Sequence, residues 1–394
     1  MTEKQSAQFK AASGYIQAHQ ADMLALWERF VQTESGNMDK AGCDAMVRLM
    51  EAELAGMGME TRRVSMAEKG DLLHGQWGAS HPGAPVLLCG HMDTVFRPGT
   101  LEKTPFSIRE GAARGPGVLD MKAGLVIALY TIRALQSAGY DQRPLRVVFP
   151  GDEENGHRNS TAAQEIRRAC RGCAAALNFE TGYLSDGLVV GRKGSCRFSL
   201  EVTGVAAHSG NAPEQGRSAI LEMAHKVIAL QALNDLAQGT SLNVGVISGG
   251  TVVNSVPDRC RAEVDVRYTR ESRLHDLLER ARSIADTVYV EGCTTRFCLS
   301  SASAVMEDTD AVMALFRHIR RTAREIGYGE VIPIKVGGWS DASIIASEGV
   351  PVVCGLGARG EHNHTPEEYA LVDSLFSRTR LAAASIICLE QELI

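Results

Sequence analysis

Five short stretches concentrate acidic and imidazole side chains. "VLLCGHMDTV" carries His91 and Asp93, "RGPGVLDMKAG" carries Asp120, and "FPGDEENG" carries Asp152, Glu153 and Glu154. "ALNFETG" carries Glu180, and "GEHNHTPEEY" carries His364. Two imidazoles and four or five carboxylates gathered in one place would repel each other and force some acids to keep their protons. A divalent cation removes that difficulty, and two remove it better. Mixed nitrogen and oxygen donors suit zinc, cobalt or manganese and fit calcium and magnesium poorly. Two cations sharing one bridging carboxylate would account for the surplus of acids. Each motif alone is weak. A pair such as Glu153 and Glu154 is usually a solvated turn, an aspartate such as Asp93 can be a helix cap, and lone histidines such as His74 and His225 are usually satisfied or exposed. The joint pattern is stronger, because nearly every candidate directly follows an apolar run, where a solvated charge is not the default.

Those runs are the elements that must position the charges. "APVLLCG", "LRVVFP", "AALNF" and "PVVCGLG" read as buried strands. Between them lie helical patterns, among them "DKAGCDAMVRLMEAELAGMG", "MKAGLVIALYTIRALQSAG", "TAAQEIRRAC", "TDAVMALFRHIRRTAREIG" and the C-terminal "SLFSRTRLAAASIICLEQEL". The alternation predicts an α/β fold with a mainly parallel sheet covered on both faces. Ligands of such sheets bind just beyond the carboxyl ends of the strands, where all five stretches fall. The middle of the chain differs. "SCRFSLEVTG", "SLNVGVISGG" and "RCRAEVDVRY" alternate apolar with polar, as half-exposed antiparallel strands do, and two helical stretches separate them. This predicts an α+β domain at about residues 193–302, inserted into a larger domain formed by 1–192 and 303–394.

With 394 residues the chain is too long for one ordinary core. Apolar residues make up 44% and charged residues 22%, as in an ordinary soluble protein. A net charge of −6 leaves no basic excess to meet phosphates, so no nucleic-acid partner is expected. No apolar stretch is long enough to span a bilayer, and the polar N-terminal stretch "MTEKQSAQFKAASGYIQAHQ" has no export pattern. Ten scattered cysteines read as reduced thiols, and the expected location is the cytoplasm. The one close pair, Cys170 and Cys173, lacks the second pair a zinc site would need.

Taken together, "GHMDTV", "GPGVLDMKAG", "DEENG", "FETG", "GVAAHSGNAPEQGRSAI" and "HTPEEY" resemble the M20 family of metallopeptidases, and within it the glutamate carboxypeptidases of the carboxypeptidase G2 type. The likeness runs through nearly the whole chain in order, insertion included. It implies a zinc-exopeptidase-like catalytic domain, a ferredoxin-like lid that also serves dimerisation, and two divalent ions per subunit, with zinc preferred and cobalt or manganese possible. His91, Asp120 and Glu180 would hold one ion. Asp120 would bridge, and Glu154 with His364 would complete the second site. His362 shares the loop, but His364 directly precedes "TPEEY", where the family places its histidine. Asp93 would orient His91. Glu153 would be the general base, and Asp152 is left as structural. His208 in "AAHSG" would stabilise the oxyanion, often in the partner subunit's site, with Asn254 of "TVVNSVPD" nearby. Arg267 of "VDVRY" would pair with the substrate carboxylate, although from the strand pattern alone it is more often a solvated charge, and Asp265 on the same face could occupy it. Gly338 of "GGWSDAS" would let the backbone approach the substrate, and Trp339 could narrow the pocket. A cis peptide is implied between Asp120 and Met121.

The expected activity is hydrolysis of an amide bond next to a free α-carboxylate in a small molecule or peptide, releasing Glu- or Asp-type residues. An N-acyl-amino-acid amidohydrolase is the alternative. An aminopeptidase or dipeptidase would need a group to hold a free amine, and none is identifiable. A metal-free binding relative is disfavoured by the complete set of ligands.

Overall fold

A computed structural model describes residues 1–390 of the chain, in two compact units. The first comprises residues 1–190, 308–336 and 340–394, of which 391–394 lie outside the described residues. The second comprises residues 191–307 with 337–339.

The first unit is built on a six-stranded sheet in the order Glu60–Val64, Gly70–Trp77, Leu145–Gly151, Val86–Cys89, Ala175–Asn178, Val352–Val353. The three pairings from Leu145–Gly151 onward are parallel, and the two at the other edge are antiparallel. The fold is therefore mixed α/β with a mostly parallel sheet. The parallel strands are the apolar runs singled out above. They read as continuous rather than alternating because both faces are covered: Val86, Leu87, Leu88 and Cys89 are all buried. The helix Ala123–Ser137 is buried nearly all round, packed against Val372–Ile387 and Glu3–Ala18. The C-terminal helical pattern runs to residue 393, but its helix stops at Ile387 and its last residues fall outside the described part. Among the described residues no helix is long and apolar enough to cross a membrane.

The second unit has the order strand, helix, strand, strand, helix, strand: Gly194–Thr203, Ala219–Gln231, Ser241–Gly249, Arg259–Tyr268, Glu271–Asp286 and Thr294–Ala302. Its four strands form an antiparallel sheet with Gly194–Thr203 and Arg259–Tyr268 in the centre. Along Arg259–Tyr268, Cys260, Ala262, Val264, Val266 and Tyr268 are buried and join one core with Leu274 and Leu278 of the following helix. Glu263, Asp265 and Arg267 face the other way, as a period of two requires.

Candidate active site

The charged residues of the first unit sit where its strands end. His91 and Asp93 follow Val86–Cys89, Glu153 and Glu154 follow Leu145–Gly151, and Glu180 follows Ala175–Asn178. Asp120 lies in the turn before the helix Ala123–Ser137, and the Asp120–Met121 peptide is cis. That helix approaches the Ala175–Asn178 strand so closely that a Cβ at Gly124 would run into the carbonyl oxygen of Phe179. A glycine at this position lets Asp120 and Glu180 come together.

The geometry around Asp120 is divided in two. Its Oδ1 lies 3.1 Å from His91 Nε2, and its Oδ2 lies 3.2 Å from His364 Nε2. Glu180 is 3.7 Å from His91 Nε2, and Glu154 is 3.4 Å from His364 Nε2. Two donor groups result, His91–Asp120–Glu180 and Asp120–Glu154–His364, each with its candidate ligand atoms within 4.8 Å of one another. Asp120 belongs to both. Glu153 belongs to neither, although its carboxylate lies 4.0 Å from His91 Nε2.

The electrostatics are those of an acid-rich buried site. Burial would push the His91 imidazole down, but bonds to Asp120 and Asp93 outweigh it and hold the ring well above its usual range. Bonds to Asp120 and Glu154 push His364 up to about 10. Burial also opposes ionisation of Asp120, yet the bonds from His364 and His91 keep its carboxyl far below the ordinary carboxylate range. Glu153 moves the other way: burial, with Glu180, Asp341 and Glu154 adding to it against His91, raises it well above a normal glutamate. A buried carboxyl of raised affinity for protons is the kind of group that accepts and returns one near neutral pH.

A cation fits this site on the chemistry of its donors. The two groups offer one imidazole nitrogen and two carboxylates each, with one carboxylate shared. Glu154 Oε1 is buried and has no hydrogen-bond partner among the described residues, which a bound cation would supply.

Other side chains hold these groups in place. Asp93, fully buried, accepts the backbone N–H groups of Glu153 and Glu154 at 3.1 Å each, and its Oδ1 lies 3.4 Å from His91 Nδ1. The nearer partner of that nitrogen is the Asp93 carbonyl oxygen, at 3.0 Å. Three holding groups were missed by sequence reasoning. Glu368 Oε1 accepts the backbone N–H groups of Leu119 at 2.7 Å and Asp120 at 3.0 Å, and Asn363 donates to Asp120 Oδ2 at 3.0 Å. His157 bonds to both Asp152 and Asp341. Glu368 stands inside "HTPEEY", but no local pattern shows what it holds, because its partners lie 249 and 248 residues away.

The remaining candidates belong to the second unit. His208 and Asn254 are exposed neighbours: His208 pairs with Ser255 across two short strands, and the Asn254 carbonyl accepts the N–H of Ser209 at 3.0 Å. His208 Nδ1 accepts the N–H groups of Gly210 and Asn211, at 3.1 and 3.2 Å, which leaves Nε2 as the ring's donor. Arg267 is half-buried, and Asp265 does occupy it, with Nε at 2.9 Å from Oδ2. The Gly338 carbonyl accepts from Arg192 at 3.0 Å, and Trp339 is half-buried.

Comparison with known proteins agrees with this chemistry. The profile of Peptidase family M20/M25/M40 matches residues 87–387. Carboxypeptidase G2 from Pseudomonas sp. (strain RS-16) is 28% identical over 373 residues, which cover 93% of this chain and 89% of that protein. Succinyl-diaminopimelate desuccinylase from Stenotrophomonas maltophilia (strain R551-3) is 32% identical over 264 residues, covering 62% and 68% of the two chains. Among solved structures, aminopeptidase PepT from Bacillus cereus ATCC 10987 superposes with a TM-score of 0.77 at 23% identity, covering 94% of this chain and 98% of that one. That last likeness concerns the fold alone. Donor groups meeting at Asp120, a fold shared with peptidases and a profile that takes in the parallel strands and the insertion lead to one assignment: the chain belongs to Peptidase family M20/M25/M40 and is a metallohydrolase that acts on amide bonds.

Proposed function

We propose that this protein is a two-metal carboxypeptidase that cleaves the amide bond next to a free α-carboxylate and releases a C-terminal residue of the Glu or Asp type. The observation that carries the two-metal part is Asp120, whose two oxygens each meet a different imidazole. His91, Asp120 and Glu180 would hold one ion, and Asp120, Glu154 and His364 the other. Zinc suits these donors, with cobalt and manganese as further fits. Bound there, two such cations would supply Lewis-acid chemistry, polarising the amide carbonyl and making water a better nucleophile.

The chain's own residues do the rest. Glu153, outside both donor groups, takes a proton from the attacking water. The water oxygen bonds to the carbonyl carbon, and the carbonyl electrons move to oxygen. His208 Nε2, with Asn254 beside it, donates to that oxyanion. The C–N bond then breaks as Glu153 returns the proton to the leaving nitrogen. Arg267 reads the free carboxylate, exchanging its bond to Asp265 for one to the substrate. Gly338 keeps the pocket backbone open to the substrate, and Trp339 sets the pocket's width.

The likeness to carboxypeptidase G2 through 93% of the chain supports the carboxypeptidase reading. The likeness to a desuccinylase keeps an N-acyl-amino-acid amidohydrolase as the second reading. The proposal also places the protein in the cytoplasm, as a homodimer formed through the second unit acting as a lid. The outer strand Ser241–Gly249 of that unit is a sheet edge with no further partner among the described residues and carries exposed Val246 and Ile247, which suits pairing with a second copy.

The deciding experiment compares Glu153→Gln with Glu154→Gln on a panel of N-benzoyl amino acids. Glu153→Gln keeps both metals and loses about 10²–10⁴-fold in kcat, the range of a general base. Glu154→Gln loses one metal. A Glu153→Gln enzyme with near-normal kcat refutes the assignment.

A further inference from the structure

Asp152, the first of three consecutive acids, has no place in the reaction above. In the structure it is fully buried and is met by His157, whose Nδ1 lies 2.8 Å from Asp152 Oδ1. The other nitrogen of the same ring, Nε2, lies 2.6 Å from Oδ1 of Asp341, also buried. A neutral imidazole has one N–H. For both nitrogens to donate to these oxygens the ring must be the imidazolium. The direction of its proton affinity agrees: burial opposes the charge, but Asp341 and Asp152 outweigh it and hold the ring well above its ordinary range.

The backbone points the same way. His157 has φ of 55°, in the left-handed region that glycine enters freely and other residues enter at a cost. A side chain bonded at both ends offsets that cost, and an unattached one would not.

The two carboxylates lead to different parts of the site. Asp152 directly precedes Glu153. Asp341 follows Ser340, whose hydroxyl accepts from Asn178 Nδ2 at 3.4 Å, and Asn178 ends the strand that leads to Glu180. The chain Asp152–His157–Asp341, continued through Ser340 to Asn178, ties the turn carrying Glu153 to the end of the strand that leads to Glu180. Asp93 already holds that turn by the N–H groups of Glu153 and Glu154. His157 holds the residue just before them, Asp152.

We infer that His157 is a positioning residue: a buried imidazolium strap between Asp152 and Asp341 that fixes where the Glu153 carboxylate stands. The inference rests on the reading of Glu153 as the base. It assigns a purpose to Asp152, the acid left without one, and to Asp341 of the "GGWSDAS" loop.

The test uses the full-length, metal-loaded enzyme and whichever N-benzoyl amino acid the wild type hydrolyses fastest. His157→Gly removes the strap while keeping a residue at ease at this φ. His157→Gln keeps a side chain able to bond at one end, and Asp341→Asn weakens the other anchor. His157→Gly is expected to lower kcat by about 10–100-fold, the usual effect of removing an outer-shell support or misplacing a reacting group by an ångström. KM stays within about twofold and the metal content per subunit is unchanged. His157→Gln loses less than His157→Gly, because it restores part of the strap. A merely structural histidine would lower Tm and the yield of folded enzyme without this separation of kcat from KM. Wild-type kcat in His157→Gly, or a loss of rate that follows loss of metal, overturns the inference. If His157→Gly does not fold, Asp341→Asn decides by the same readout. The two levels separate cleanly. Near-normal turnover in Glu153→Gln sinks the reading of the base, whereas an inactive Glu153→Gln beside a fully active His157→Gly sinks only the strap.

Discussion

Replacing Asp93 tests how the site is held together. Its carboxylate is fully buried and accepts two backbone N–H groups at 3.1 Å, those of Glu153 and Glu154. Asp93→Ala deletes both acceptors. A buried donor left without a partner costs about 1–3 kcal/mol, so the two together cost about 2–6 kcal/mol of stability. Asp93→Asn keeps one amide oxygen as an acceptor, and its NH₂ would face the second N–H, so about half of that loss is expected. The imidazole of His91 is affected less. Its nearer partner is the carbonyl oxygen of residue 93 at 3.0 Å, which either substitution retains, while the carboxylate is at 3.4 Å. Metal affinity should therefore fall by only about tenfold, the low end for loss of an outer partner. Urea unfolding of chelator-treated protein isolates the backbone part, and a metal titration followed by calorimetry measures the other. The reasoning fails if Asp93→Ala unfolds at the wild-type urea concentration but binds metal more than about 100-fold weaker. The carboxylate would then serve the imidazole and not the turn.

Three further outcomes are expected. Arg267→Ala should lower kcat/KM for acid substrates by about 10–30-fold, or about 1–2 kcal/mol, with little change for the matching C-terminal amide; the effect is modest because Asp265 already holds the guanidinium. Equal cleavage of acid and amide by the wild type would remove the carboxylate-recognition proposal. Val246→Lys with Ile247→Lys should convert a dimer to a monomer in light scattering, by charging the exposed edge strand; a wild type that is monomeric at working concentration refutes the dimer. Glu165 gives an acid-side stability signature. Burial opposes its charge, but bonds from Arg62, His74 and Arg168 bring it down to about 2. A depressed carboxyl stabilises the fold above its ordinary value near 4.5, and that contribution is lost as pH falls from about 4.5 toward 2. Glu165→Gln should thus cost about 1–2 kcal/mol at pH 7, discounted because Arg62 and Arg168 are largely exposed, and nothing near pH 2; the same deficit at both pH values would refute this.

The sequence by itself determined the class of fold and the acid-rich character of the site. Short continuous apolar runs such as "VLLC", alternating with helical patterns, read as strands covered on both faces, and alternating runs such as "RCRAEVDVRY" bury every second residue, because burial of apolar surface outweighs most local preferences. Strand ends carrying His91, Glu153, Glu154 and Glu180 pointed to the binding edge of an α/β sheet, since the strand direction decides which edge that is. The tertiary structure decided how the charges are shared. Asp120 turns one oxygen to His91 and the other to His364, a division that depends on the loop from Gly360 onward folding back to it. Glu368 holds the Leu119 and Asp120 amides from 249 and 248 residues away, and His157 finds Asp341 184 residues away. Asp265, one of two candidates to hold Arg267, is its partner in the folded strand. In each case the information is a distance between groups far apart in the chain or a choice of rotamer. Periodicity reports only which face of an element is buried; which buried group meets which is set when the elements pack.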